Sequence, residues 1–516
     1  MSVQRSIGQL QVKSRFKLLA VLDCTIHSKY GEHTRAEITG TVKSAEAMAA
    51  LNNTSEDKLE ITGRDDDGVE EVLFTGAIKC AELKQEGQYG ILTVRAVSNT
   101  WKMDIERKSR SFQDVSMTYK DVAGKVIQEY GAVMSWNLLN KPLEHPLIQY
   151  KETDYCFLKR ILSHLEGSIT TTDTGEDISL SAGLKEGSHI AEIDLKGKAY
   201  SVVLFHDKKI PGYRIENTDF TRVGDVLTVQ GRTYYVMETE AKFINNVLNC
   251  TCLMFPKQCF ETERMPAVTL RSAVLTGKVL KAEQEKVKLH LDIDKEQDID
   301  GAFEFPWKPI TGNLFYGMPE EGSKAALYFG ADEEKNAAVI YNIRENGEEC
   351  DETADFNNRY FTTQHEKRMY LKPSETGFVN LADQNAQISL KDDSGLEIKS
   401  THKISILAEG QIELKGKNVK MTAPKEATLV KKDIMSPTVI NLCNAFDAIG
   451  ATGDFTAVPK TVKEKRKKAA GGQPMERYSL DGAVSAVLSN IPAAEMGSAV
   501  MDAVAGSMPV ISRNIR

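Results

Sequence analysis

The 516-residue chain has few cysteines. Its eight stand at positions 24, 80, 156, 250, 252, 259, 350 and 443, too sparse for a disulfide framework. Cys250-x-Cys252 followed by Cys259 lacks the paired C-x-x-C knuckles of a structural zinc site. Cys250 and Cys252 fall on one face of a strand-like run, which reads as core thiols, so no metal and no cofactor is assigned. Basic residues are not in surplus: 65 Lys and Arg stand against 73 Asp and Glu, for a net charge of −8, with the two signs intermixed. A nucleic-acid binder needs a basic face to displace counterions, and that class is excluded. No run of 18 apolar residues occurs, and the opening MSVQRSIGQLQVKSRFKLLAV lacks the basic, apolar, small-residue order of a signal peptide. Synthesis and retention in the cytoplasm are expected.

Catalytic signatures are also missing. There is no G-x-S-x-G, no H-E-x-x-H and no P-loop, and the nine histidines are scattered. His164 is expected on the polar flank of a helix, and His206, His290 and His402 in strand-like runs, all structural or solvated. The acidic run GRDDDGVEE (63–71) lacks the alternate-position ligands and terminal Glu of a calcium loop and reads as a polar hairpin turn. An enzyme is not expected.

What is present is an ordinary globular composition, 41% hydrophobic and 27% charged, long enough for three to five domains of roughly 100–200 residues. Residues 1–110 carry short alternating runs such as AEITGTVKS and YGILTVRAVS, the pattern of β-strands. Residues 111–184 hold two amphipathic helices. One places Val122, Val126 and Tyr130 on a stripe. The other places Phe157, Leu158, Ile161, Leu162 and Leu165 on another, with Asp154 as N-cap and Gly167 as stop. Strands return over 185–265, which makes 1–265 two β units around a helical insert. A five-stranded OB-like barrel is expected over 266–350, then a polar connector over 351–385.

Residues 386–423 are different in kind. From Ile388 to Val419 the chain divides into four eights, with apolar residues at positions one and three of each: Ile388 and Leu390, Leu396 and Ile398, Ile404 and Ile406, Ile412 and Leu414. Period-two patterning sends these side chains to one face. Ser389, Lys391, Glu397, Lys399, Ser405, Glu413 and Lys415 take the other parity and should face water, and Leu407 is a misfit. A single-chain solenoid needs about 20 or more residues per coil, so eight cannot enclose a core. Three chains can, each turning positions one and three to a shared axis. At roughly 1.5–3 kcal/mol per buried Ile or Leu, such a β-prism is stiff. Residues 424–516 read as an extension with a helix at 437–449, a basic knot at 463–468 and a tail rich in Gly, Ala, Ser and Met.

The order of these parts resembles the VgrG and phage tail hub-spike proteins of contractile injection systems. IQYKETDYCFLKRIL (148–162) is similar to the hub signature, FPWKPITGNLFYGMPEEGSKAALYF (305–329) to the barrel loop and following strand, and NRYFTTQHEKRMYLKP (358–373) to the entry of the needle. The resemblance implies a mainly β fold, with two barrel-like hub domains, an OB-fold barrel, an intertwined trimeric prism and a partly helical extension. It implies a homotrimer that docks a hexameric inner tube and baseplate proteins, with transient contact to a target membrane. Such a chain is made in the bacterial cytoplasm, joins the particle and is translocated on firing. Trp307 and Pro319 of the barrel loop and Tyr150 of the hub signature are expected at contacts between hub, barrel and neighbouring subunits. Residues 424–516 match nothing in the family and read as an adaptor for an effector or tip-capping protein. Two alternatives stay open: a spike carrying a toxin in its last 90 residues or so, and a polysaccharide-acting β-helix enzyme.

Overall fold

A computed structural model describes residues 7–441, apart from 53–57, 66–67, 189–191, 194, 197–198, 206–208, 218–219, 245–246, 313–314, 346–350, 421, 424–427 and 432–437. The fold is mainly β, as expected. It divides into two compact units that meet between Glu345 and Asn346.

The first unit is built on an eleven-stranded sheet. Strands with strict alternation, such as Arg35–Lys43 and Tyr89–Ser98, bury every second residue, and Ile38, Leu59, Ile61, Phe74, Leu92 and Val94 meet in a core closed to solvent. The amino-terminal strands and those after residue 200 are not separate sheets. Ala20–Lys29 pairs antiparallel with Arg232–Ile244 from Cys24↔Phe243 to Lys29↔Glu238, so the two β stretches share one hydrogen-bonded sheet, with one core spanning the seam and a second among the later strands. Cys250 lies in the first of these cores and Cys252 in the second, both fully buried.

The helical insert docks on this sheet. Its helices, Tyr119–Gln128 and Asp154–Ser163, bury Val122, Val126, Phe157, Leu158, Ile161 and Leu162 together, following the expected stripes. The caps differ. Thr153, not Asp154, is the N-cap, its hydroxyl accepting from the Cys156 amide at 3.3 Å. Asp154 is inside the helix and buried, because its carboxylate has partners elsewhere. At the other end Glu166 takes the left-handed backbone (φ 59°), and the Gly167 amide donates to Leu162 O at 3.0 Å. Gly167 is required by proximity: a Cβ there would sit 2.6 Å from the Leu138 methyls.

The interval expected to hold a barrel contains strands Val274–Glu283, Lys286–Leu291, Glu304–Pro306, Lys324–Phe329 and Ala337–Ile343 in one sheet. Its first and last members in the pairing order meet where Trp307 bridges Val339 and the Lys308 amide donates to Val339 O at 2.8 Å. The sheet closes around Val279, Leu289, Phe305, Leu327 and Phe329.

In the second unit, strands Arg359–Thr362, Lys367–Lys372, Glu375–Asn380, Ala386–Lys391 and Gly395–Ser400 form an antiparallel meander. The expected boundary at 385/386 therefore falls inside one sheet. Only the first two eights are strands. Residues 401–420 carry none, since a strand needs a neighbour for its amides and carbonyls and the single chain provides none there. The helix expected at 437–449 is not found where the chain is described: Thr438–Asn441 is a strand paired with Thr428–Lys431, in keeping with its run of β-branched Thr, Val and Ile. Residues 442–516, with the basic knot and the tail, lie outside the described residues.

The pairing of Val274–Glu283 with Lys286–Leu291 depends on close backbone approach at Gly277, where a Cβ would meet His290 O at 2.6 Å and Leu291 Cα at 2.9 Å. Gly277→Val is expected to cost about 1–3 kcal/mol by overpacking, read as a lower thermal midpoint. An unchanged midpoint would mean that the two strands are not this close.

Candidate functional site

Two features stand out from the residues upward: a buried ionic joint inside the first unit and an open apolar sheet face in the second. The joint is built from the segment Gln149 to Arg160. Asp154 is wholly buried and accepts from four donors, Lys108 Nζ at 2.7 Å and Tyr130 OH at 2.6 Å on Oδ2, and Arg110 Nη2 at 2.6 Å and Gln149 Nε2 at 2.8 Å on Oδ1. Burial would raise its pKa. The hydrogen bonds from Lys108, Tyr130 and Gln149 and the charge of Arg110 outweigh that and hold the carboxyl below the usual range. The group therefore adds stability that is present at neutral pH and is lost as acid protonates it in the folded chain.

Arg160, on the same helix, is 2% exposed. Its guanidinium reaches Glu334 Oε1 of the barrel at 2.7 Å, both Glu152 oxygens at 3.1–3.2 Å and Ile148 O at 2.9 Å. Glu334 is itself buried. Burial opposes the charge on Arg160, but Glu334 and Glu152 more than restore it. Around this centre Ser111 donates through its amide and hydroxyl to Asp294 at 2.6 and 2.5 Å, the Met265 amide donates to Ser163 Oγ at 2.8 Å, and Gln113 bridges Leu289 O and the Phe303 amide. The strand Leu147–Thr153 also sends Ile148 into the barrel core. Insert and barrel are thus fixed to each other by paired charges, directional hydrogen bonds and apolar packing at once.

In the second unit the register aligns Phe361, Met369, Phe378, Ile388 and Ile398 in a row across all five strands. Leu371, Leu390 and Leu396 lie two residues along on the same face. All eight are exposed, between 37% and 62%. The opposite face differs: Tyr370 lies across Gly377, where a Cβ would be 2.6 Å from its hydroxyl, and donates to Glu375 Oε1 at 2.7 Å. Ser389, next to Gly377 in the register, is covered and buried, a correction to its expected exposure. Lys391 and Lys399 flank Glu397 at 3.4 and 2.8 Å.

The remaining apolar members of the eights, Ile404, Ile406, Ile412 and Leu414, are exposed on the unpaired stretch, and Leu407 is 90% exposed. Tyr150 is half-buried against the barrel core. Trp307 belongs to that core, and it is the residue through which the barrel closes. Pro319 is buried. His164 is not on a polar flank: it caps the helix, edge-on to Tyr119 at 5.8 Å. His290 is half-buried with Nε2 3.0 Å from Asp294 O, and His402 is exposed. His206 lies outside the described residues.

Sequence reasoning missed Lys108, Arg110 and Glu334, and, on the open face, Phe361, Met369, Leu371 and Phe378. The latter had a signal. Phe361 and Met369 are themselves eight apart, and extending the period-two search upstream of Ile388 finds them.

No protein-family model matches the sequence, and no curated protein matches it. Among solved structures the fold is similar to the E. coli c3393 protein, described as a component of the type VI secretion system with structural similarity to the T4 tail proteins gp27 and gp5. That likeness has 13% identity and a TM-score of 0.50, over 65% of this chain and 100% of that one. It is also similar to a chain of the Francisella PdpA–VgrG complex in its lidded form, at 7% identity and a TM-score of 0.53, over 76% of this chain and 81% of that one, and of its half-lidded form, at 7% identity and a TM-score of 0.50, over 76% and 88%.

Removing the cation from the joint leaves the buried Glu334 carboxylate and the half-buried Glu152 without their shared partner. Arg160→Met should cost about 3–5 kcal/mol in denaturant unfolding. Arg160→Met with Glu334→Leu should cost less than the sum of the single changes by about 1 kcal/mol or more. Strict additivity would show that the two side chains are not coupled.

Proposed function

We propose that the chain is the structural hub-spike of a contractile injection system and works as a homotrimer. The observation that carries this reading is the apolar row from Phe361 to Ile398, continued in sequence by Ile404, Ile406, Ile412 and Leu414. A contiguous apolar face of this extent marks a surface meant to be covered. The eight-residue repeat says by what: each copy supplies one face per layer, so two further copies of the same segment complete a prism. The fold likeness to tail and secretion proteins supports the same assignment.

On this reading residues 1–265 form the hub that docks the inner tube and baseplate, 266–350 an OB-like collar, 351–423 the needle, and 424–516 an adaptor for an effector or tip-capping protein. The ionic joint fits a mechanical role, because a spike driven through an envelope transmits force from hub to needle through whatever links insert and barrel. Nothing in the joint resembles a catalytic arrangement: its charges are paired off within the chain, and the buried Asp154 carboxylate is held ionised by its four donors.

Light scattering of the purified chain should give the mass of three copies. Ile388→Asp with Ile398→Asp places charges at facing positions of the row, where burial without partners costs several kcal/mol per ion, and should yield monomers that still bury the hub core. A monomeric wild type, or a double variant that stays an equally heat-resistant trimer, would falsify the prism.

A further inference from the structure

The helix Asp154–Ser163 has a histidine packed against each end, and neither belongs to the ionic joint. At the first turn His33, in the connection between strands Ala20–Lys29 and Arg35–Lys43, lies on the Tyr155 ring with centroids 3.9 Å apart. Its Nδ1 is 2.7 Å from Thr100 Oγ1 and its Nε2 3.5 Å from Asp104 Oδ2. The adjacent Thr34 hydroxyl donates to Asp173, the Gly31 amide to Ile169 O at 2.9 Å and the Thr75 amide to Asp173 O at 2.7 Å. This corner is therefore where the amino-terminal sheet fastens to the insert. At the last turn His164 packs edge-on to Tyr119, with Nδ1 3.3 Å from its hydroxyl.

We propose that His33 and His164 make this helix an acid-sensitive joint: neutral imidazoles pack both its ends near neutral pH, and protonation in mild acid loosens the insert from the amino-terminal sheet and the two insert helices from each other. This goes beyond the hub-spike reading and does not depend on it.

The charges around each ring define the balance. His33 faces Asp104, which favours its protonation, and Arg35 and Lys159, which oppose it; burial is the largest influence and leaves the ring harder to protonate than usual. His164 is pushed down to about 4 by burial first and by Arg264 and Arg160, against Glu334 and Glu333. The carbonyls ending the helix favour a cation at His164, but they do not offset those effects. With both folded-state values depressed, the unfolded or locally opened chain takes up protons first. Stability is unaffected above 6.5, the ordinary value, and falls as pH drops below it. Asp173 acts in the opposite sense. Burial pushes it up to about 6, against the Thr34 hydrogen bond and the charge of Arg222, so its contribution is lost as pH rises through that value. It is a partial counterweight to two histidines.

Hydrogen–deuterium exchange on the full chain, at about pH 7.5 and about pH 5 with intrinsic rates corrected, tests this. Peptides covering 154–167 should lose protection about tenfold or more at the lower pH, while the barrel strands over 324–343 keep theirs. His33→Phe with His164→Gln should abolish the loss. Equal protection of 154–167 at both pH values, or the same loss in the double variant, overturns the proposal. Should the double variant fail to fold, the single variants decide: each must retain more protection at about pH 5 than the wild type, and if neither does the proposal fails.

Discussion

A guanidinium taken out of water is tolerable only among partners, and much of the first unit follows from placing one at Arg160. Its carboxylates come from a strand of the insert and from a turn of the barrel 174 residues away, so the ion is solvated only when both are folded and correctly docked. Desolvation makes the arrangement exacting: a displaced barrel strands a buried charge at a cost of several kcal/mol. The same logic holds for Asp154, whose four donors come from a strand, a turn and the segment preceding its own helix. Such pairs add little to bare stability compared with apolar packing. What they add is a single permitted orientation between insert and barrel.

The two units obey opposite rules. In the joint the buried charges are paired within the chain. In the second unit the polar face of the meander is closed by Tyr370 over Gly377, while the apolar face is left uncovered. A face of eight large apolar side chains is unfavourable in water by on the order of ten kcal/mol or more. A chain that fixes its charges so carefully and leaves this surface open is consistent with the proposal that further copies complete it.

Much of this was legible in the sequence, for identifiable reasons. Period-two alternation in stretches such as 35–43 and 89–98 and the stripes of the two helices reported strands and helices directly, because burial acts on neighbours at fixed spacing. The eights reported an apolar face for the same reason. What spacing cannot report is a partner distant in sequence. Asp154 reads locally as a cap because Asp before an apolar run usually is one, and Lys108, Arg110 and Tyr130, which draw it inside, are 24 to 46 residues away. Trp307 reads locally as a contact residue on a loop, and its place in the barrel's closure depends on Val339, 32 residues away. The continuity of the sheet across Ala20–Lys29 and Arg232–Ile244 likewise joins strands more than 200 residues apart, and no local pattern distinguishes it from two sheets side by side.

The open meander also sets a condition on the time between synthesis and assembly. A flat apolar face bounded by a strand edge at Gly395–Ser400 is a template that any extended chain can extend, so a lone copy is exposed to adventitious pairing for as long as it stays alone. For the trimer proposed above, encounter of three copies would depend steeply on their local concentration, which would make dilute, early-made chains the vulnerable ones. Lys391 and Lys399 on the reverse face give protection on one side only. Chains made close together, as from one message translated repeatedly, would pass through this interval fastest, and the solubility of the protein is then as much a matter of where and when it is made as of what it is made of.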